Sequence, residues 1–162
     1  DIGHLFSNLV LFFPFAYFLT GYFGSGFFPI AGFFVGGLVN WLVIKTMPDT
    51  VFLVGVSGVV YWMGAAWTAL YFFIERREPI RKRLLKAIGV SLVLFIPESY
   101  RPEVSYLTHF LGYITGILSG TLWFIFHKKK FRLAEKYHVE IEEEDNKTVS
   151  DTFSIHSAKG LF

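Results

Sequence analysis

Apolar residues fill most of this chain in long blocks, without the polar face that a helix on a soluble protein's surface must carry. Five blocks approach the roughly 20 residues a helix needs to cross a hydrocarbon core about 30 Å thick: residues 5–23, 28–44, 57–74, 84–96 and 106–126. The fourth is short. At about 1.5 Å per residue it covers only about 20 Å, unless it borrows Ile80 and lets Arg81, Lys82, Arg83 and Lys86 snorkel. Turn chemistry marks the connectors: Gly24-Ser25-Gly26 after the first block, Pro48-Asp49 between the second and third, and Pro97 and Pro102 between the last two. The pattern predicts an all-α polytopic membrane bundle with five transmembrane helices. A membrane domain over 1–127 is followed by a tail over 128–162, basic and then acidic, expected to be cytoplasmic and partly disordered.

Composition agrees, with 53% hydrophobic, 20% aromatic and 17% charged residues and a mean hydropathy of +0.48. The absence of cysteine rules out a disulfide framework, a thiol nucleophile and a cysteine metal site. A net charge of +2 says little, but its placement says more. Six basic residues lie between Arg76 and Lys86 and five between Lys128 and Lys136, against single residues at Lys45 and Arg101. Positive charge near span ends marks the cytoplasmic side, so the first, third and fifth blocks begin on the outer side. Asn146-Lys147-Thr148 then never meets the glycosylation machinery. The chain begins at Asp1 with neither methionine nor leader, as expected of a processed or truncated chain. Nothing in it suggests a nucleic-acid partner; the lipid bilayer is the partner the composition demands.

With the sidedness assigned, depths can be compared. Ser57 lies 18 residues before Glu75, and His109 lies 18 before His127. Both fall on the order of 27 Å from the inner boundary, just inside the outer edge of the core. His4, 17 residues before Gly21, reaches a comparable level, and Asn8 shares its helix face four residues on. His109, Gly112, Gly116 and Gly120 form a stripe that permits close helix packing. Ser57, Tyr61, Ala65 and Thr68 form a matching narrow face. If the two faces meet, Ser57 and His109 pair as nucleophile and general base. The Ser57 amide, Asn8 and His4 are then available as donors to an oxyanion. No carboxylate lies within a span, which favours a Ser-His dyad.

Simpler readings exist for each residue. A serine at a helix start is often a cap, and Gly55-Val56-Ser57-Gly58 can arise by chance in a glycine-rich chain. Asn40 suits an interhelical hydrogen bond, and the many phenylalanines suit lipid contact and core. His127, His138 and His156 form no convincing metal spacing. His4 and His109 could instead bracket a haem, but Ser57 and Asn8 then lack a purpose. Transport is disfavoured because no acidic residue lies in a span.

Three segments together carry a resemblance: His4-Leu5-Phe6-Ser7-Asn8; Gly55-Val56-Ser57-Gly58-Val59-Val60-Tyr61; and His109 with Gly112 and Gly116. In this order, over residues 1 to 127, the chain resembles the rhomboid intramembrane serine proteases. Gly24-Ser25-Gly26 looks like the bacterial glycerol-operon branch of that family. The resemblance implies a serine endopeptidase of the inner membrane that cuts transmembrane substrates near their outer ends without cofactor or metal. It implies Ser57 as nucleophile, His109 as base, His4, Asn8 and the Ser57 amide as the oxyanion hole, and Tyr61 stacked on His109. It also implies that the short fourth span is a movable wall through which substrate enters. The family core has six spans, and this chain starts where the second should. Thr20 stands where members often carry an acid, and the stretch from Tyr61 to Gly64 looks one residue shorter. An inactive client-binding relative is the alternative.

Overall fold

The computed structural model describes residues 2–48, 56–95 and 105–135 and the strand residues 137–139 and 155–157; the side chains of residues 4, 94, 95 and of the strand residues lie outside that description. The chain divides into two units, Asp1–Ile125 and Phe126–Phe162.

The first unit is helical. It contains α1 (Ile2–Phe23), a six-residue π-type segment Gly26–Ala31 leading into α2 (Gly32–Ile44), then α3 (Ser57–Ile74), α4 (Ile80–Phe95) and α5, which runs Tyr106–Ala134 and so crosses into the second unit. Four helices are long and apolar enough to cross a membrane: Leu5–Phe23, Gly26–Ile44, Ser57–Ile74 and Tyr106–Ala134. The expected all-α membrane bundle is therefore what the chain forms. The described part of α4 has 16 residues, about 24 Å of helix, and its first two turns carry Arg81, Lys82, Arg83 and Lys86.

Helix α1 begins at Ile2 rather than 5 and α4 at Ile80 rather than 84, and two further boundaries differ from the sequence reading for a readable cause. The second span begins at Gly26 rather than 28, because Phe28 takes an extended conformation (φ −139°, ψ 130°) inside the turn and the helix is kinked there rather than ended. Helix α5 runs on to Ala134, past the apolar block ending at 126. Lysine and arginine are good helix formers, so Lys128-Lys129-Lys130 stops the hydrophobicity without stopping the helix. In the second unit, Tyr137–Val139 and Ile155–Ser157 pair as two short antiparallel strands.

Helix α1 ends where the Gly24 amide donates to the Thr20 carbonyl at 2.9 Å. Gly24 takes φ +82°, a conformation that disfavours residues with a Cβ. The Thr20 hydroxyl donates to the Phe28 carbonyl at 3.1 Å and ties the helix end to the following turn. At this residue, where the resembled family often carries an acid, the chain makes a short neutral tether.

Helix α3 is the centre of the bundle. Of its span 61% is buried, against 11% for α1, and it packs against α1, α2 and α4. Small residues make this possible: Gly58, Gly64, Ala65, Ala66, Thr68 and Ala69 are all buried along it. Large apolar side chains point away from the core instead, among them Phe6, Phe13, Phe33, Phe34, Phe110 and Leu118. Exposed phenylalanine at this density is unfavourable in water and favourable against lipid.

Candidate active site

Helix α3 begins at Ser57. Val56 holds the N-cap position with φ −96° and ψ 6°, and its side chain makes no capping bond. Ser57 is the first residue inside the helix rather than its N-cap. The first intrahelical bond of this turn runs from the Val60 amide to the Val56 carbonyl at 3.0 Å. The Ser57 amide precedes it, among the N–H groups that a helix leaves without an internal acceptor.

Helix α5 is brought against α3 by its glycines. A Cβ on Gly112 would stand 2.3 Å from the Gly58 carbonyl oxygen, one on Gly116 2.3 Å from the Trp62 oxygen, and one on Gly120 2.6 Å from the Ala66 oxygen. Both series advance by four residues, so the backbones stay in contact for about 12 Å with the two helices running in the same direction. At the head of the contact, a Cβ on Gly58 would meet the Thr108 Cγ2 at 2.6 Å. The neighbours of Ser57 and His109 in sequence are therefore packed on each other.

The Tyr61 ring stacks on the His109 imidazole, with centroids 4.0 Å apart and planes 10° from parallel. Tyr61 and His109 are only 3% and 2% exposed. Ser57 is one helical turn before Tyr61 on the same face of α3. Two elements of the constellation thus share one side of one helix, and the third is stacked against that side. Asn8, 7% exposed, is buried on α1, which also packs on α3. His4 lies in α1 one turn before Asn8, but its side chain lies outside the described residues.

Sequence reasoning missed the residue that sets the start of α5. The Ser105 hydroxyl accepts the Thr108 amide at 3.4 Å and the Thr108 hydroxyl at 2.7 Å, and the Ser105 carbonyl accepts the His109 amide at 3.2 Å. A serine directly before an apolar run is an N-cap signal, and here it fixes the turn from which His109 projects. Deeper in the bundle, the Trp62 indole donates to the Ser119 hydroxyl at 3.0 Å, locking α3 against α5.

At the far end of α3 the chemistry is ionic. Glu75, almost fully buried, accepts the Arg77 amide at 2.9 Å and the Arg77 Nε at 2.9 and 3.2 Å, and forms a further contact with Nη2. The Arg77 hydrogen bonds hold the Glu75 carboxyl below the usual carboxylate range despite its burial. Glu78 accepts Lys86 at 2.6 Å and the Tyr71 hydroxyl at 2.9 Å, and is likewise held low, first by Lys86. Among the described residues no cluster of three or more His, Cys, Asp or Glu could hold a metal.

A family model described as Rhomboid domain matches residues 1–126. No curated protein and no solved structure matches the chain.

Proposed function

Because this chain belongs to the rhomboid family, we propose that it is an intramembrane serine endopeptidase, with Ser57 as nucleophile and His109 as its general base. The observation that carries the reading is the Tyr61–His109 stack one turn from Ser57, on helices whose backbones touch at Gly58 and Gly112. Stacking restricts the imidazole to one plane, and in the absence of a carboxylate in any span an aromatic face is what orients the base.

In this mechanism the Ser57 Oγ attacks the carbonyl carbon of a peptide bond while His109 accepts the hydroxyl proton. The negative charge on the carbonyl oxygen is met by the Ser57 amide at the helix start, by the Asn8 side chain and by His4. Collapse of the tetrahedral intermediate breaks the C–N bond, and His109 returns the proton to the leaving amine. Water, deprotonated by His109, then attacks the acyl ester and releases Ser57. Such a site needs a water-filled cavity, and the starts of α1, α3 and α5 are its lining.

The substrates are transmembrane helices. The Ser57 end of α3 faces outward from the inner membrane, and the Glu75 end, with the basic residues of the α3–α4 connector and the tail over 128–162, faces the cytoplasm. The test is labelling of the full chain in lipid with a fluorophosphonate, together with cleavage of a transmembrane reporter. Both are expected in the wild type and neither in Ser57→Ala or His109→Ala. Reporter cleavage that survives Ser57→Ala would refute the assignment, and client binding without labelling would identify an inactive relative.

A further inference from the structure

The second unit holds a ladder that the sequence does not announce. Tyr137–Val139 and Ile155–Ser157 run antiparallel with Tyr137 opposite Ser157, His138 opposite His156 and Val139 opposite Ile155. In sequence the two histidines stand 18 residues apart, a spacing that matches no metal motif. The register makes them a directly opposed pair. Strand residues alternate between faces, so His138 and His156 occupy one face of the ladder and Tyr137, Val139, Ile155 and Ser157 the other. Residues opposed in this way have Cβ atoms about 4.5–5.5 Å apart. One ion bonded to two imidazole nitrogens at about 2.0–2.1 Å in tetrahedral geometry holds those nitrogens about 3.4 Å apart, a gap that two imidazoles rooted at that Cβ spacing can bridge. The 15 residues joining the strands, 140–154, carry one lysine and six carboxylates, four of which form the run Glu142-Glu143-Glu144-Asp145. The connection thus has a net charge of −5, which raises the local concentration of cations.

We propose that the opposed pair of His138 and His156 is a binding site for a divalent transition metal ion, with Zn²⁺ as the representative ion and carboxylates of the connection completing its ligands. Neutral imidazole is a ligand of Zn²⁺, Ni²⁺ and Cu²⁺, whereas Mg²⁺ and Ca²⁺ take oxygen ligands. Two imidazoles with carboxylate make a mixed nitrogen and oxygen set of the kind that zinc accepts. Glu140 follows His138 by two residues and Asp151 precedes His156 by five, so a carboxylate is close in sequence to each. The ladder also has a use for the ion. Three residue pairs offer little in return for the chain entropy of closing a 15-residue connection, and an isolated two-stranded hairpin is marginal in water. A metal clip across the strands offsets that cost, because its binding free energy is available only to the paired form. The ladder is then a metal-dependent element, formed at high free metal and loosened at low. Neither Ser57 nor His109 takes part, so the site does not depend on the proteolytic reading.

The full chain in lipid nanodiscs without histidine tags, stripped by a chelator, is titrated with Zn²⁺ while amide hydrogen exchange is followed over residues 137–139 and 155–157. Exchange there is expected to slow in proportion to free Zn²⁺ above the dissociation constant, about a hundredfold at 100 times that constant, and to ignore Mg²⁺. His127→Ala should keep the response, and His138→Ala and His156→Ala should each lose it. Because either loss also changes a strand, a swap of faces separates the metal from the ladder. Tyr137→His with His138→Tyr keeps the composition and moves one histidine to the other face, which should abolish the response. Adding His156→Ser with Ser157→His opposes the histidines again at the neighbouring pair and should restore it. Exchange that does not respond to Zn²⁺ in the wild type would overturn the proposal. So would a response that Mg²⁺ reproduces or that survives the loss of a histidine, since either traces the binding to the acidic run alone. A double swap that fails to recover the response would show that the histidines do not act as an opposed pair.

Discussion

Replacing Gly112 with alanine places a methyl group where the structure has the Gly58 carbonyl. The new Cβ would lie 2.3 Å from that oxygen, 3.1 Å from its carbon and 3.3 Å from the Gly58 Cα, whereas ordinary contact begins near 3.4 Å. Backbone on both sides leaves no rotamer to escape into, so α3 and α5 must part by about 1 Å. Overpacking of this kind costs about 1–3 kcal/mol. With Ser57 and His109 reacting as proposed, the functional cost is larger, because Gly58 adjoins Ser57 and a misplacement of about 1 Å between reacting groups lowers rates on the order of a hundredfold. Gly120→Ala supplies the contrast: its Cβ would meet the Ala66 oxygen at 2.6 Å, two turns farther from the dyad. It should lose comparable stability with little loss of rate. Gly37→Ala, in open space on α2, should keep both and gain up to about 1 kcal/mol of helix propensity. Thermal unfolding in nanodiscs reads stability, and fluorophosphonate labelling at a temperature where every variant is folded reads the dyad. Equal labelling by Gly112→Ala and wild type would refute the claim that the glycine contact sets the Ser57–His109 geometry, as would equal losses at Gly112 and Gly120.

Tyr61→Leu should slow labelling at nearly unchanged reporter KM, because it removes a stacking contact of about 0.5–1.5 kcal/mol from His109; Tyr61→Phe should keep most of the rate, and a Leu variant as fast as wild type would count against an orienting role. Ser105→Ala should destabilise the start of α5 by about 1 kcal/mol, seen as faster amide exchange over residues 106–109; unchanged exchange would show that the cap is dispensable. The Glu75–Arg77 pair gives a pH dependence of definite sign. A carboxyl held low in the folded state stabilises fully above about pH 4.5 and loses that contribution as pH falls through its depressed value. Amide protection across 75–78, taken relative to the intrinsic exchange rate at each pH, should therefore fall in acid for wild type and be flatter with pH in Glu75→Gln; identical profiles would contradict it.

The bundle was legible because lipid imposes a coarse rule, that every block of sufficient length and hydropathy crosses. The α3–α5 contact was legible for a related reason. Gly112, Gly116 and Gly120 have no side chains to be arranged, so spacing alone foretells a close approach. What hydropathy cannot encode is helix rotation. The bonds from Trp62 to Ser119 and between Ser91 and Tyr113 depend on which flanks face each other, and each of these residues taken singly reads as an ordinary packing residue. The extension of α5 to Ala134 escaped because loss of hydrophobicity and loss of helix are different events, and Lys128-Lys129-Lys130 brings only the first.

The contact between α3 and α5 joins segments that leave the ribosome at different times. The glycines of α5 meet carbonyls of α3 made roughly 50 residues earlier, an interval of about 3–10 s at ordinary rates of synthesis. Throughout that interval α3, the least hydrophobic of the four candidate spans and the one most buried in the finished bundle, stands in the membrane without the helix that covers its small-residue face. A mutation in α5 can therefore strand α3 before any active site exists. For variants along the glycine stripe, the amount of protein that reaches the membrane has to be counted before any rate is compared.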